Sequence, residues 1–267
     1  MDTSTTQTAA DLELALSLAD LADQATMSRF LSSDLRVSTK PDMTLVSDAD
    51  RDTERVLREA LRQARPHDGI LGEEHGLEHA ESSRQWVIDP IDGTHNYVRQ
   101  VPIWATLIGL VDGGEPVVGV VSAPALSRRW WAGSGHGAYR QVLGGDPQRI
   151  RVSGVADLSA AFLSYSSLTG WEEAGLGEQM ATLMSSCWRT RGFGDFWNYM
   201  LVAEGAVDVG LEPSLALHDM AALVPIVTEA GGTFTNLEGR PGPWGPGGLA
   251  TNGLLEQAVL RTLKRPS

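Results

Sequence analysis

The sequence predicts an α+β protein built as two α/β lobes, and three observations point to it. Two helix-like stretches lie within residues 9–64, short apolar runs separated by turn residues follow over 69–141, and beyond Ser153 strand-like and helix-like patterns alternate to the end. The lobes divide as residues 1–148 and 149–267, just after the Gly144-Gly145-Asp146 turn.

Residues 1–8 are polar and read as frayed. Over 9–31, Leu12, Leu14, Leu16, Leu18, Leu21 and Ala22 mark the inner side of a helix, with Asp11, Glu13, Asp20 and Asp23 outward. A second helix runs 48–64 with Val56, Leu57 and Leu61 inward, and Pro66 ends it because it has no N–H to continue the ladder. Residues 69–72, 85–89, 104–111, 116–122 and 138–141 read as strands, the third and fourth joined by the hairpin turn Asp112-Gly113-Gly114. A short helix is expected at 94–98. In the second lobe, strands at 161–165, 188–191, 206–211 and 232–235 alternate with helices at 172–186, 195–204 and 217–230. The Gly/Pro-rich segment 239–248 is a loop before a last helix at 254–263. Cys187 falls in a predicted helix as a core residue, and Trp130 and Trp131 read as core or subunit-interface residues.

Function classes are narrowed by charge. The chain of 267 residues has 21 Lys+Arg against 34 Asp+Glu, a formal charge of −13, which repels nucleic acid. One cysteine excludes an internal disulfide framework and a cysteine-based zinc cluster. No uncharged stretch approaches the roughly twenty apolar residues that span a bilayer, and no basic residue precedes Arg29 to open a secretory signal. A cytoplasmic protein acting on neither nucleic acid nor membrane is expected.

The chemically dense region is Gly72-Glu73-Glu74 followed by Asp89-Pro90-Ile91-Asp92-Gly93-Thr94. Its acids fall at strand ends with few cations near them in sequence. Two unit charges about 4 Å apart repel by roughly 4 kcal/mol at an effective dielectric near 20, so the acids converge only around a shared positive charge. Oxygen-only donors favour a hard divalent cation such as Mg²⁺, Mn²⁺ or Ca²⁺ over zinc, and four or five carboxylates suggest more than one ion. A helix starting at Gly93-Thr94 adds unpaired backbone N–H groups suited to a phosphate.

These residues resemble the inositol-monophosphatase-like family of metal-dependent phosphomonoesterases. The resemblance lies in Trp86-Val87-Ile88-Asp89-Pro90-Ile91-Asp92-Gly93-Thr94, in His218-Asp219-Met220-Ala221-Ala222 followed by Thr228-Glu229-Ala230-Gly231-Gly232, in Gly72-Glu73-Glu74, and in Lys40 leading to Leu45-Val46-Ser47-Asp48-Ala49-Asp50. It implies a layered αβαβα sandwich of the inositol monophosphatase and fructose-bisphosphatase type, a homodimer, and two to three Mg²⁺ per subunit. Glu73, Asp89, Asp92, Asp219 and the Ile91 carbonyl would be metal ligands, with Asp50 holding a further ion largely through water. Asp50, Glu73 and Thr94 would be the catalytic residues, Asp50 and Thr94 orienting the attacking water. Gly93 and Thr94 would meet the phosphate, and His95 would sit at the pocket mouth within reach of substrate. His218 departs from the family, which often has Trp there, and a structural role is expected for it.

Specificity must come from groups facing the leaving alcohol. By position Asp195 and Glu212 resemble the family's substrate contacts, and two acids there suit a cationic leaving group. Val101-Pro102-Ile103-Trp104-Ala105, Arg129-Trp130-Trp131-Ala132 and Arg191-Gly192-Phe193-Gly194-Asp195-Phe196 are similar to the histidinol-phosphate phosphatases of this fold. The small phosphate ester implied is L-histidinol phosphate. Inositol monophosphate is the alternative substrate, and a non-catalytic metal-binding scaffold is the alternative of another class.

Overall fold

In the computed structural model, which describes residues 3–264 other than Asp42 and Leu143, helix α1 already runs from Thr3 to Arg29. The frayed start expected over 1–8 is therefore overturned from Thr3 onward, and Met1 and Asp2 lie outside the described residues. Gln7 Nε2 donates to both oxygens of Asp11 one turn on, at 3.1 and 3.2 Å, which extends the helix. Three further expectations for α1 fail. Leu21 is exposed, whereas Asp11 is buried between Arg65 and Arg84, at 2.9 and 2.8 Å. Asp23, also expected outward, meets Arg129 at 2.7 Å and Ser122 Oγ at 3.0 Å. A carboxylate can turn inward when remote cations and donors meet it, and helical periodicity does not register such partners.

A two-stranded hairpin, β1 (Val37–Thr39) and β2 (Leu45–Ser47), leads into α2 (Asp48–Ala64). The large sheet then forms from β3 (Gly69–Gly72), β4 (Gly76–Glu78), β5 (Arg84–Asp92), β6 (Ala105–Asp112), β7 (Glu115–Ala123), β8 (Arg128–Gly133), β9 (Gly137–Val142) and β10 (Gln148–Arg149), with α3 (Thr94–Val98) following β5. Its spatial order is β10-β9-β8-β7-β6-β5-β3-β4, antiparallel except where β3 runs parallel to β5.

The second half contributes β11 (Phe162–Tyr165), α4 (Leu168–Glu173), α5 (Gly177–Ser186), β12 (Arg189–Arg191), α6 (Asp195–Ala203), β13 (Val209–Glu212), α7 (Leu217–Met220), α8 (Leu223–Glu229), β14 (Thr233–Thr235), β15 (Gly248–Thr251) and α9 (Glu256–Leu263). Two helices expected whole are broken. Gly175, at φ +67°, separates α4 from α5, and Pro225 lacks the N–H that would bond the Ala221 carbonyl, so α7 and α8 meet at a corner. Cys187 consequently caps α5, half-buried against the core, instead of lying within a helix. Strand β15, inside no expected element, pairs with β13 and β14 to complete a five-stranded sheet in the order β12-β11-β13-β15-β14.

Five layers result. Ala15, Leu18, Ala19 and Ala22 of α1 and Leu57 and Leu61 of α2 cover one face of the large sheet through Trp86, Ile88, Ile108 and Val120. On its other face, Ile226 and Val227 of α8 and Tyr199, Met200 and Val202 of α6 pack between Leu107, Val121 and Trp130 of the large sheet and Phe234 and Ala250 of the small one. Met180 and Leu183 of α5 and Val259 and Leu260 of α9 close the outer face of the small sheet. The molecule is the expected αβαβα sandwich. Trp130 and Trp131 are both buried within the chain. No helix among the described residues is long and apolar enough to cross a membrane.

Candidate active site

The acidic region folds as a break at the end of β5. Pro90 cannot donate to the ladder and the pairing with β6 shifts register between Asp89 and Asp92, so both aspartates turn toward the same space. Ile91 N–H donates to Asp89 Oδ1 at 3.0 Å. Gly93 then takes φ +84°, a left-handed turn open to glycine, and caps α3. Asp219 comes from α7, where its Oδ2 accepts the Ala216 N–H at 2.6 Å. One carboxylate oxygen from each of Asp89, Asp92 and Asp219 lies within 4.8 Å of the other two. Asp92 Oδ2 also accepts the Phe196 N–H of α6 at 2.7 Å, which ties the two sheets' connections together at this point.

Glu73, Asp89, Ile91, Asp92, Gly93, Thr94, His95, Asp195 and Asp219 line one cleft of about 150 Å³, with Thr44 and Leu45 at its side. Glu73 touches Asp89 but stands outside the three-oxygen group, because Lys40 Nζ lies 2.7 Å from its Oε1 and 2.6 Å from Glu74 Oε1. The acids thus have one more cation than sequence proximity suggests, delivered by the segment between β1 and β2. Asp50 is fully buried behind Thr94, whose hydroxyl lies 3.1 Å from Asp50 Oδ1 and 3.0 Å from the Ile91 carbonyl. Its other oxygen is held by Ser47 N–H at 2.8 Å and Ser47 Oγ at 2.6 Å, a reciprocal cap of α2. Glu212 is buried away from the cleft lining, accepting from Asn198 Nδ2 at 3.2 Å. His218 stands beside Asp219, Nε2 to Oδ1 3.5 Å, outside the cleft.

Burial raises every acid of the group whose shift is resolved, and neighbouring carboxylates add to it. Asp89 is held well above the usual range by burial and then by Glu73, Asp92 and Asp219; Asp92 by burial and then by Asp195 and Asp219. Burial also raises Asp219, lifts Asp50 to about 6 and Asp195 to about 6, and lifts Glu212 to about 8, helped by Asp195 and Asp219. Such a group binds either protons or a cation. With oxygen donors only, these residues fit a hard divalent ion. Cys187 is no rival nucleophile: burial pushes its thiol up to about 11.

Three contributors escape sequence reasoning. Asn96 Nδ2 donates to the Ile103 carbonyl at 2.8 Å and reaches Asp195 Oδ2 at 3.3 Å, steadying a residue whose backbone is left-handed at φ +52°. Glu54 and Arg58 form a buried pair beneath the Glu73 turn. A signal for Glu54 exists, since it shares the stripe of α2 that holds Leu57 and Leu61, but an i,i+4 Glu–Arg pair is as common on a solvent-exposed helix face. Asn96 has no comparable signal. Two larger clefts, about 610 and 500 Å³, lie around α9 and around α4 and α5; neither contains the acidic group.

The inositol monophosphatase family profile matches residues 5–265. The chain is 54% identical to the histidinol-phosphatase of Mycobacterium tuberculosis over 95% of its own length and 97% of that protein. It is 55% identical to the histidinol-phosphatase of Streptomyces coelicolor, covering 96% and 97%. Among solved structures, the extragenic suppressor protein suhB of Bartonella henselae superposes with a TM-score of 0.87 at 27% identity, over 97% of this chain and all 100% of that one.

Proposed function

The chain belongs to the inositol monophosphatase family, and from that premise we propose that it hydrolyses L-histidinol phosphate to L-histidinol and phosphate in histidine biosynthesis. The observation that carries the substrate is Asp195, an acid in the cleft beside Asp89, Asp92 and Asp219 where the leaving alcohol of an ester would emerge. An ammonium and an imidazole on that alcohol match Asp195 and, behind it, Glu212. Two relatives that share more than half of its residues, from Mycobacterium tuberculosis and Streptomyces coelicolor, bear the corresponding name.

Glu73, Asp89, Asp92, Asp219 and the Ile91 carbonyl would hold Mg²⁺, two to three ions per subunit with Asp50 serving the third. A bound divalent cation neutralises the ester and acidifies water for attack on phosphorus. Thr94 and Asp50 orient that water, the Thr94 hydroxyl sharing its proton between Asp50 and the Ile91 carbonyl. Gly93 and Thr94 offer first-turn N–H groups of α3, which have no partner within the helix, to the phosphate. His95, exposed at the lining of the cleft, is within reach of the substrate. The water oxygen bonds phosphorus, the ester P–O bond breaks, and the proton leaves with the alcohol. The lobes 1–148 and 149–267 meet at this cleft, and the same reading makes the protein a cytoplasmic homodimer, which sedimentation would check.

A phosphate-release panel tests the proposal. Histidinol phosphate, inositol 1-phosphate and an aryl phosphate are each assayed with Mg²⁺ and with chelator. The highest kcat/KM is expected for histidinol phosphate, with turnover lost in chelator; preference for the inositol ester overturns the substrate.

A further inference from the structure

Behind the cleft lies a buried ion pair to which the chemistry above gives no task. Glu54 and Arg58 sit one turn apart on α2, their side chains 0% and 2% exposed, with Arg58 Nε 2.7 Å from Glu54 Oε1. Such a pair is weak support for a fold, because removing both charges from water offsets much of their attraction. Its other hydrogen bonds and ion pairs fall on residues 74–78. Glu54 Oε2 accepts the Glu74 N–H at 2.7 Å, Glu54 Oε1 accepts the His75 N–H at 3.1 Å, and Arg58 donates to the Gly76 carbonyl and pairs with Glu78 at 3.0 Å. Gly72 presses on the pair so closely that a Cβ there would stand 2.0 Å from Glu54 Oε1. Between Gly72 and Glu74 is Glu73, whose own N–H donates to the Ile88 carbonyl at 3.2 Å, next to Asp89. Asp50 occupies the same stripe of α2 one turn earlier.

We infer that Glu54, clamped by Arg58, is a positioning residue for metal binding: its two carboxylate oxygens hold the turn that sets Glu73 beside Asp89. The inference rests on the reading of Glu73 as a metal ligand. One helix thereby places both Asp50 and Glu73, and their separation is fixed by the pitch of α2 instead of by a loop. Glutamine at position 54 keeps the size but replaces one acceptor by an NH₂ group facing a backbone N–H, so one of the two bonds to the turn is lost.

The test is Mn²⁺ binding to the purified chain, read as free ion by electron paramagnetic resonance, alongside thermal unfolding in chelator. Glu54→Gln is expected to weaken Mn²⁺ binding about 10- to 100-fold, the range for groups that orient ligands. Arg58→Lys, which keeps the charge but gives up the fork to Gly76 and Glu78, weakens it in the same direction by less, and serves if Glu54→Gln does not fold. Leu57→Ala, buried on the same helix in the core against α1 and the large sheet and outside the cleft lining, lowers the Tm without moving Mn²⁺ affinity. Parental Mn²⁺ affinity in Glu54→Gln and Arg58→Lys, with Glu73→Gln binding weakly, overturns the inference and leaves Glu73 a ligand. Loss of affinity that merely follows Tm across all variants, Leu57→Ala included, overturns it as well. Parental affinity in Glu73→Gln removes the ligand reading and this inference with it.

Discussion

On the proposed function, the chemistry of specificity rests on one side chain, Asp195. Its left-handed backbone, φ +52°, is uncommon outside glycine, and Asp and Asn adopt it more readily than most residues. Gly93 lies close enough that a Cβ there would sit 3.3 Å from Asp195 Oδ2, so the glycine that caps α3 also leaves room for this acid. Replacing Asp195 by Asn keeps the shape and removes the charge. KM for histidinol phosphate is expected to rise about 10- to 100-fold, the worth of a charge-assisted hydrogen bond, with a much smaller rise for a neutral polyol phosphate; equal rises would exclude charge recognition. Asp92→Asn can still accept the Phe196 N–H, so the fold is kept. On the proposed function its turnover should fall by about 10³-fold or more, because several kcal/mol of transition-state stabilisation would depend on the ion it helps hold; steady-state kinetics beside a thermal melt separates the two effects.

The corner between α7 and α8 shows how an element places a single carboxylate. Gly109 of β6 and Gly119 of β7 are register partners, and together they leave a bare patch on the large sheet. The corner backbone lies on that patch: a Cβ on Gly119 would stand 2.0 Å from the Ala222 carbonyl oxygen, and one on Gly109 2.8 Å from the Ala221 carbonyl carbon. Asp219 is held over the cleft because α7 can press this far down. Gly119→Ala should cost about 1–3 kcal/mol through overpacking, read by denaturant unfolding, and should weaken metal binding by pushing α7 outward. Unchanged metal affinity in a destabilised variant would show that α7 is placed by other contacts.

For the molecule as a whole, the site is a concentration of negative charge that the ion-free protein must bear. Folding raises Glu212 to about 8 and Asp50 and Asp195 to about 6, against unfolded carboxylates near 4. A group raised on folding contributes stability that is full below its unfolded pKa and is lost as pH rises through its folded pKa. The Tm in chelator should therefore fall as pH rises from about 5 to 8, and divalent cation should restore it most at the upper end of that window. A chelated protein equally stable at both ends would mean that the acids are compensated by other groups.

Where a structural demand is local, the chain can be read directly. The segment Asp89–Thr94 has Pro, Gly and paired acids at the spacing that a turn of this kind requires, and the strands and helices beside it follow from nearest-neighbour periodicity; the layered sandwich, α2 and α3 came out as expected. Burial of charge is a different matter. Asp11 and Asp23 on α1, Lys40 against Glu73, and Glu54 beneath Gly72 each depend on a partner supplied by another element. The same holds for β15, which is a strand because β13 and β14 flank it. The cost of taking a charge or a backbone amide out of water is cancelled by groups far along the chain, so those placements belong to the assembled fold.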